Sequence, residues 1–235
     1  MENVLVDQKF GRTLEEENFV NDQQAREINI LYGQNDNYSK NLLKRIFDLA
    51  FSFFTLVFVL SWLFPIIAIL IKLDSNGSVF FKQLRHGKNN QLFYCYKFRT
   101  MVKNKDADIK QATVNDSRIT RVGKILRKSS LDELPQIFNV ILGDMSIVGP
   151  RPQAVPMNLE FAKEIDNFMA RHQVKPGITG LAQSKGFRGE ISSFHELHSR
   201  FRLDYFYVGK WCLIFDIKII IDTAVSLMTK SDKAY

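Results

Sequence analysis

The sequence predicts a helix-rich α+β fold in which an N-terminal membrane-inserted helix precedes a domain of amphipathic helices with a small β-hairpin. Residues 49–71 contain no charged side chain, and residues 118–128 have apolar side chains at helical spacing. Residues 78–83 and 92–99 are β-branched or aromatic runs separated by Gly-Lys-Asn-Asn, a pattern typical of a hairpin. We therefore divide the chain into an extension (1–40), a membrane-inserted helix (41–73) and a folded domain (74–235).

The charge of the chain is uneven. Residues 1–40 are polar, carry four basic and eight acidic side chains, and lack the apolar surface that would offset ordering entropy, so we expect a loosely ordered extension. Residues 41–235 carry 28 basic and 17 acidic side chains, a net charge of +11. Such a surface attracts polyanions, whether nucleic acid, anionic lipid headgroups or diphosphates, and composition does not choose among them.

The two cysteines, Cys95 and Cys212, lie far apart and form no CxxC pair. This usage indicates a reducing compartment, and it argues against a disulfide framework and against a thiolate metal site.

The uncharged run at residues 49–71 is longer than the roughly 20 residues that cross a bilayer. It is not a secretory signal peptide, because a long polar segment precedes it and no cleavage site follows. Basic residues flank both ends and give no orientation. Pro65 cannot donate to the carbonyl of Ser61, so the helix should bend there. A re-entrant helix with both ends cytoplasmic fits this pattern, and a kinked transmembrane helix is the alternative.

The second predicted strand places Lys97 and Arg99 on one face, because side chains alternate along a strand. In residues 118–128 the apolar side chains fall within about 120° of a helical wheel and the basic ones lie mostly opposite, which predicts a basic amphipathic helix. The other helical candidates are residues 135–142, 157–171 and 211–228. The last is too charged for a comfortable membrane span, so we expect it on protein or at the membrane interface.

The adjacent acids Asp132 and Glu133 are the first candidates for chemistry. In a purely structural interpretation, Asp132 is the N-cap of a helix, with Pro135 at the third helical position, where no N–H is required. In the functional interpretation, one carboxylate attacks phosphorus while the other holds Mg²⁺, a hard ion that prefers carboxylate and phosphate oxygens.

Four basic residues could neutralise the charge of a diphosphate substrate: Lys97, Arg99, Arg127 and Arg151. Each alone is weak support, because a basic side chain on a strand or loop is usually a solvated surface group. The Gly/Pro-rich stretches 143–152 and 175–183 predict turns of fixed geometry, which either cradle phosphate through backbone donors or merely close loops.

Seven motifs follow one another from Lys44 onwards: Lys44-Arg45-Ile46-Phe47-Asp48, Ile71-Lys72-Leu73-Asp74-Ser75, Val79-Phe80-Phe81-Lys82-Gln83, Tyr96-Lys97-Phe98-Arg99-Thr100-Met101, Ser130-Leu131-Asp132-Glu133-Leu134-Pro135-Gln136, Gly143-Asp144-Met145-Ser146-Ile147-Val148-Gly149-Pro150-Arg151-Pro152 and Lys175-Pro176-Gly177-Ile178-Thr179-Gly180. In this order they resemble the bacterial sugar transferases, the monotopic phosphoglycosyl transferases that start assembly of O-antigen, capsule and related glycans. The resemblance implies a re-entrant membrane helix and a compact cytoplasmic α-rich catalytic domain at the bacterial inner membrane.

The resemblance also implies a mechanism. Asp132 would attack the sugar-bearing phosphate of a UDP-sugar, UMP would leave, and undecaprenyl phosphate would then attack the covalent aspartyl phosphosugar. Glu133 would hold Mg²⁺. The implied phosphate contacts are Lys97, Arg99, Arg127 and Arg151.

The chain departs from the family pattern at the membrane bend. Family members commonly carry Ser-Pro there, whereas this chain has Ser61-Trp62 with the proline displaced to Pro65. We therefore expect the break in the helix at a different place.

Two other classes of protein fit part of the sequence. A basic, membrane-tethered nucleic-acid-binding protein would explain the charge of +11 and the alternating aromatics and cations of residues 93–99, and it would bind DNA or RNA with strong salt dependence. A non-catalytic membrane scaffold would need Asp132 only as a cap. The resemblance favours the transferase, with membrane lipid and no nucleic acid as partners, and leaves the sugar open.

Overall fold

The computed structural model describes residues 38–103, 113, 116–189, 191 and 193–229. Its helices are α1 (Tyr38–Thr55), α2 (Ser61–Asp74), α3 (Arg121–Lys128), α4 (Gln136–Leu142), α5 (Val155–Glu164), α6 (Leu181–Ser184), α7 (Phe194–Lys210) and α8 (Leu213–Thr229). Its strands are β1 (Phe80–His86), β2 (Leu92–Phe98), β3 (Ser146–Val148) and β4 (Gly177–Thr179). The predicted helix-rich composition and the antiparallel hairpin are confirmed. The extension predicted for residues 1–40 lies almost wholly outside the described residues.

The first two helices form one apolar segment of 34 residues, Asn41–Asp74, and the rest of the chain buries little of its most apolar part. By length and composition, it is the one helix in the described ranges that could cross a membrane. A π-helical turn, Leu56–Leu60, joins α1 to α2. The departure from regular α-helical hydrogen bonding therefore ends at Leu60, and Pro65 lies inside the helix α2 that follows.

The first turns of α1 are fixed to the folded domain by three charged side chains. Lys44 donates to the buried carboxylate of Asp216 at 2.6 Å. Arg45 donates to two carbonyls at the end of α4 at 2.6 and 2.9 Å. Asp48 accepts hydrogen bonds from a hydroxyl and an amide of β3 at 2.9 and 3.0 Å. The membrane segment is thus held to the domain at its N-terminal end through charge-assisted hydrogen bonds.

The hairpin pairs β1 with β2 so that Phe81 lies opposite Lys97. The second strand lies where the sequence predicts it, whereas the first begins and ends later than the predicted residues 78–83. Phe93 and Cys95 are buried on the same face as Lys97, as the alternation predicts, and they join the main core. Other members of that core are Ile137, Val140, Met145, Ile147, Val148, Leu181, Tyr207 and Ile219.

The helix predictions hold with two corrections to their bounds. The helices predicted at residues 135–142 and 211–228 are present as α4 and α8. The amphipathic helix predicted from residue 118 begins at Arg121, because the Thr120 hydroxyl caps it by accepting from the amide of Gly123 at 3.0 Å. The helix predicted at residues 157–171 is wrong in its second half. There α5 ends at Glu164, and a separate 3₁₀ segment, Phe168–Gln173, follows.

Several features of the fold were not predicted. Helices α6 and α7 have no counterpart among the sequence-based helices. The stretches predicted as turns at residues 143–152 and 175–183 contain β3 and β4, which pair in parallel with Ser146 opposite Gly177.

Candidate active site

A cavity of about 860 Å³ lies between the hairpin, the connection from α3 to α4, the segment after β3, and α8. All six side chains that the sequence singles out for chemistry line it, although they come from distant parts of the chain. These are Lys97, Arg99, Arg127, Asp132, Glu133 and Arg151. The fold therefore places two acids and four cations around a single space.

The two acids lie in a 3₁₀ turn, Leu131–Glu133, between α3 and α4. Ser130 precedes it in the left-handed region (φ 58°), which few non-glycine residues adopt, and turns the chain sharply. Because α4 begins only at Gln136, Asp132 is not its N-cap, and the purely structural interpretation of this aspartate is wrong. Within the described residues the Asp132 carboxylate accepts no hydrogen bond, although only 8% of the residue is exposed.

Glu133 is held by two cations. Lys97 Nζ donates to its Oε1 at 2.7 Å, while Arg151 donates to Oε2 at 2.9 Å and to Oε1 at 2.5 Å. Burial would raise the pKa of Glu133, but the charges and hydrogen bonds of Arg151 and Lys97 hold it well below its usual range. Glu133 is therefore ionised at neutral pH.

Asp132 has the opposite electrostatic environment. Burial raises its pKa, and the negative charge of Glu133 adds to the rise, while Lys97, Arg127 and Arg151 act against it without offsetting it. The pKa values of these two neighbouring carboxyl groups are thus shifted in opposite directions. Such a difference is typical of two acids that have different chemical roles.

Asn139 fixes the distance between Lys97 and Glu133. It is fully buried on α4, where its Oδ1 accepts from the amide of Tyr96 at 3.0 Å and its Nδ2 donates to the carbonyl of Tyr94 at 2.8 Å. Because both bonds go to the backbone of β2, they hold the helix that follows the acidic turn against the strand that carries Lys97.

Arg151 is positioned by the parallel pair of β3 and β4. The amide of Gly177 donates to the carbonyl of Pro150 at 3.0 Å, directly before Arg151. A Cβ on Gly177 would lie 2.0 Å from the amide nitrogen of Gly149, so only glycine permits this approach. The second Gly/Pro-rich stretch therefore brings two strands together beside the cavity.

Arg99 and Arg127 line the cavity but also carry structural hydrogen bonds. The Arg99 guanidinium donates to the carbonyls of Ser75 and Asn76, at 2.6 and 2.8 Å, at the end of α2. Arg127 Nε donates to the hydroxyl of Thr100 at 2.8 Å. Arg99 therefore connects the cavity to the backbone after α2, and Arg127 connects it to the side chain of Thr100.

The sequence reasoning missed further cavity residues, above all Arg188. Its Nε donates to the carbonyl of Gln183 at 3.1 Å, and burial together with the charge of Arg151 lowers its pKa. Gly186 and Gly189 flank it with φ values of 89° and 78°, and this pair of glycines was the sequence signal that a tight loop presents an arginine. Other missed lining residues are Gln83, Gln153, Met157, Gln183 and Thr223.

Glu133 and Asp132 are the residues that could hold a magnesium ion if substrate phosphates and waters supplied its other ligands. The described ranges hold no group of three or more His, Cys, Asp or Glu side chains that could form a complete metal cage. Mg²⁺ commonly uses one or two carboxylates together with waters and substrate phosphates. A carboxylate offers about four lone-pair sites, and Glu133 uses three of them for Lys97 and Arg151. Glu133 thus retains one site, beside the unbonded carboxylate of Asp132.

In the part of the chain that the structure describes, a membrane-type helix is joined to a domain that holds an acidic pair inside a cationic cavity. The bacterial sugar transferase family matches residues 39–230. The chain belongs to this family.

Three relatives show what the chain is similar to. A UDP-glucose:undecaprenyl-phosphate glucose-1-phosphate transferase of Xanthomonas campestris pv. campestris is 51% identical over 177 residues, covering 73% of this chain and 37% of the relative. The protein of the same name from Escherichia coli (strain K12) is 46% identical, with 76% and 39% covered. The exopolysaccharide production protein PSS of Rhizobium leguminosarum bv. phaseoli is 42% identical, with 80% and 96% covered. The chain thus spans about two fifths of the first two relatives and nearly all of the third.

Proposed function

We propose that this protein transfers a sugar 1-phosphate from a UDP-sugar to undecaprenyl phosphate, releases UMP, and so initiates assembly of an exopolysaccharide, O-antigen or capsule-type glycan. The observation that carries the proposal is the buried Asp132 carboxylate, which has no hydrogen-bond partner within the described residues and lies on a cavity wall beside an ionised Glu133. The names of the relatives support the donor and the acceptor.

The reaction would proceed in two displacements at phosphorus. An oxygen of Asp132 attacks the phosphorus that bears the sugar, the bond from that phosphorus to the oxygen of UMP breaks, and UMP leaves with the electron pair. The product is an aspartyl phosphosugar. An oxygen of undecaprenyl phosphate then attacks the same phosphorus, and the carboxylate of Asp132 is released unchanged. One carboxylate thereby serves a soluble donor and a lipid acceptor in turn.

The cations of the cavity would neutralise the diphosphate. Arg127 and Arg188 line the cavity together with Lys97 and Arg151, and fixed cations at the site of developing charge lower the barrier to phosphoryl transfer. We propose that Mg²⁺ binds through the remaining lone pair of Glu133 and the donor phosphates. When bound, it would offset the negative charge that builds up on the leaving UMP.

The membrane helix would be re-entrant, so that both of its ends lie on the cytoplasmic side of the bacterial inner membrane. Two features support this course: the π-helical turn Leu56–Leu60 and Pro65, which together interrupt the regular hydrogen bonding of the apolar run. The hydroxyl of Ser61 donates to the carbonyl of Val57 at 2.6 Å, which supplies a partner inside the irregular turn. Such a course would leave the cavity at the cytoplasmic surface, where nucleotide sugars are made.

The arrangement of the cations favours a transferase over a nucleic-acid-binding protein. Lys97 and Arg151 converge on Glu133 inside a cavity, whereas nucleic acid is bound by cations spread along a surface or groove. Titration of the purified protein with labelled DNA and RNA at two salt concentrations checks the alternative.

The test is donor-dependent release of UMP. Purified protein is incubated with Mg²⁺, undecaprenyl phosphate and one donor from a panel of UDP-glucose, UDP-galactose and UDP-N-acetylglucosamine. We expect UMP release in the wild type, no release in a folded Asp132→Asn variant, and unchanged release in Asp166→Asn, which alters an exposed aspartate outside the cavity.

A second measurement follows the covalent step. With donor alone, the intact mass should increase by one phosphosugar, and peptide mapping should place it on Asp132. Turnover by Asp132→Asn, or attachment to a different residue, would refute the mechanism.

A further inference from the structure

A buried ion pair that the proposed chemistry does not use lies directly behind Arg151. Arg171, in the 3₁₀ segment Phe168–Gln173, and Asp204, on α7, are 3% and 4% exposed, and their side chains approach to 2.8 Å. Burial lowers the pKa of Arg171 and raises that of Asp204, and in each case the partner's charge acts against the shift. Taking two charges out of water is costly, and buried pairs of this kind contribute little net stability.

The pair reaches the active site through the backbone. Arg171 Nη2 donates to the carbonyl oxygen of Arg151, while the guanidinium lies over the ring of Phe168 at 5.2 Å. The carboxylate of Asp204, the ring of Phe168 and the carbonyl of Arg151 thus hold the Arg171 guanidinium from three sides. An unbroken chain of contacts runs from Asp204 through Arg171 and Arg151 to Glu133.

We propose that Arg171 and Asp204 are positioning residues for the transfer reaction: they fix the backbone of Arg151, so that its guanidinium meets both oxygens of Glu133. This inference rests on the proposed function. The Arg151 side chain is long and flexible, and two simultaneous hydrogen bonds to one carboxylate require its backbone to be fixed. The parallel strand pair holds the residue just before Arg151, and Arg171 holds Arg151 itself.

Among the described residues, Arg171 is the one side chain that donates to the carbonyl of Arg151. The cavity between Arg151, Arg171 and Asp204 measures about 10 Å³, which is at most the space of one water molecule. Arg200, the other cation that acts on Asp204, donates instead to the carbonyls of Arg188 and Gly189. If Arg171 is changed, the carbonyl of Arg151 therefore loses its side-chain donor.

Three variants test the proposal. Arg171→Lys keeps a positive charge near Asp204, but its ammonium ends one atom short of the position of Nη2, which contacts both Asp204 and the Arg151 carbonyl in the wild type. The double variant Arg171→Met/Asp204→Leu removes both charges, leaves no unpaired buried ion, and so keeps the protein folded if a single change does not. Ser193→Ala is the matched control. It removes the hydroxyl that caps the same helix by accepting from the amide of Glu196 at 3.2 Å, and Ser193 lines neither of the two cavities beside Arg151.

Two readouts are combined. UMP release should show kcat lowered about tenfold in Arg171→Lys and in the double variant, with the KM for donor changed much less. Independently of activity, the guanidinium hydrogens of Arg151, observed by NMR in protein labelled with ¹⁵N-arginine, should exchange with water faster than in the wild type. Ser193→Ala should lower Tm and leave both readouts unchanged.

The outcomes separate the two proposals. Wild-type kcat and wild-type exchange at Arg151 in both Arg171 variants would overturn the positioning role and show that the pair is only structural. If the wild-type protein releases no UMP from any donor, the proposed function fails, and the exchange measurement still decides whether Arg171 holds Arg151.

Discussion

Replacing Arg151 by lysine separates the charge at this position from its geometry. Arg151 makes two hydrogen bonds to Glu133, at 2.9 and 2.5 Å, and lysine can make one of them with its charge retained. A hydrogen bond to a charged group contributes about 1.5–3 kcal/mol. If the lost bond acts fully in the transition state, kcat should fall roughly 10- to 150-fold, since each 1.4 kcal/mol corresponds to about a factor of ten.

The assay is UMP release at saturating donor and acceptor, with thermal unfolding measured on the same preparations. Arg45→Lys is the matched control, because Arg45 also makes two hydrogen bonds, to the carbonyls of Val140 and Ile141, and does not line the cavity. We expect it to lose stability and keep kcat. Wild-type kcat in Arg151→Lys, together with an intact fold, would refute the claim that the two-point contact with Glu133 matters for transfer.

Four further predictions concern the acids, the metal and the membrane helix. Because the pKa of Asp132 is raised, UMP release plotted against pH should fall on the acidic side with a midpoint above the ordinary aspartate value of 3.8, and a midpoint at or below 3.8 contradicts this. A raised folded-state pKa means that ionised Asp132 destabilises the fold at neutral pH, so Asp132→Asn should raise Tm in calorimetry. The expected rise is about 2–4 °C for each 1 kcal/mol of added unfolding free energy, and a lower Tm contradicts the prediction. EDTA should abolish UMP release and excess Mg²⁺ should restore it, whereas release in EDTA would show that the metal is unnecessary. Accessibility tags at residues 20 and 235 should report the same side of the membrane, and opposite sides would exclude a re-entrant helix.

The parts of the fold that the sequence predicts are those set by local patterns. A single segment of sequence is enough to show each of them: the apolar run at residues 49–71, the alternation along β2, and the helices α4 and α8. The six site residues could be chosen from residue type and resemblance, but their convergence could not be seen. Lys97 meets Glu133 across the contact of β2 with α4, which Asn139 stabilises by bonding the backbone of β2 from more than forty residues away.

Helix α7 shows why the remainder was not predictable. Its buried residues, Leu197, Arg200, Asp204 and Tyr207, follow helical spacing, but two of the four are charged. A search for apolar periodicity therefore finds only an interrupted stripe on the buried face of this helix. The strands β3 and β4 were not predicted for a related reason. Each has only three residues, and the partner that makes each one a strand lies elsewhere in the sequence.

The division of labour between the two acids follows from which of them the cations contact. Had Arg151 and Lys97 bonded Asp132, its lone pairs would be occupied and its pKa lowered, and a carboxylate in that state is a poor nucleophile. Because both cations instead bond Glu133, Glu133 stays ionised, and its negative charge adds to burial in keeping Asp132 basic. The same cations still lie close enough to Asp132 to lower its pKa in part and to meet a phosphate that approaches it. In the proposed mechanism, the hydrogen bonds of Arg151 and Lys97 to Glu133 would thereby make Asp132 a better nucleophile, and weakening them should reduce transfer even when Asp132 is unchanged.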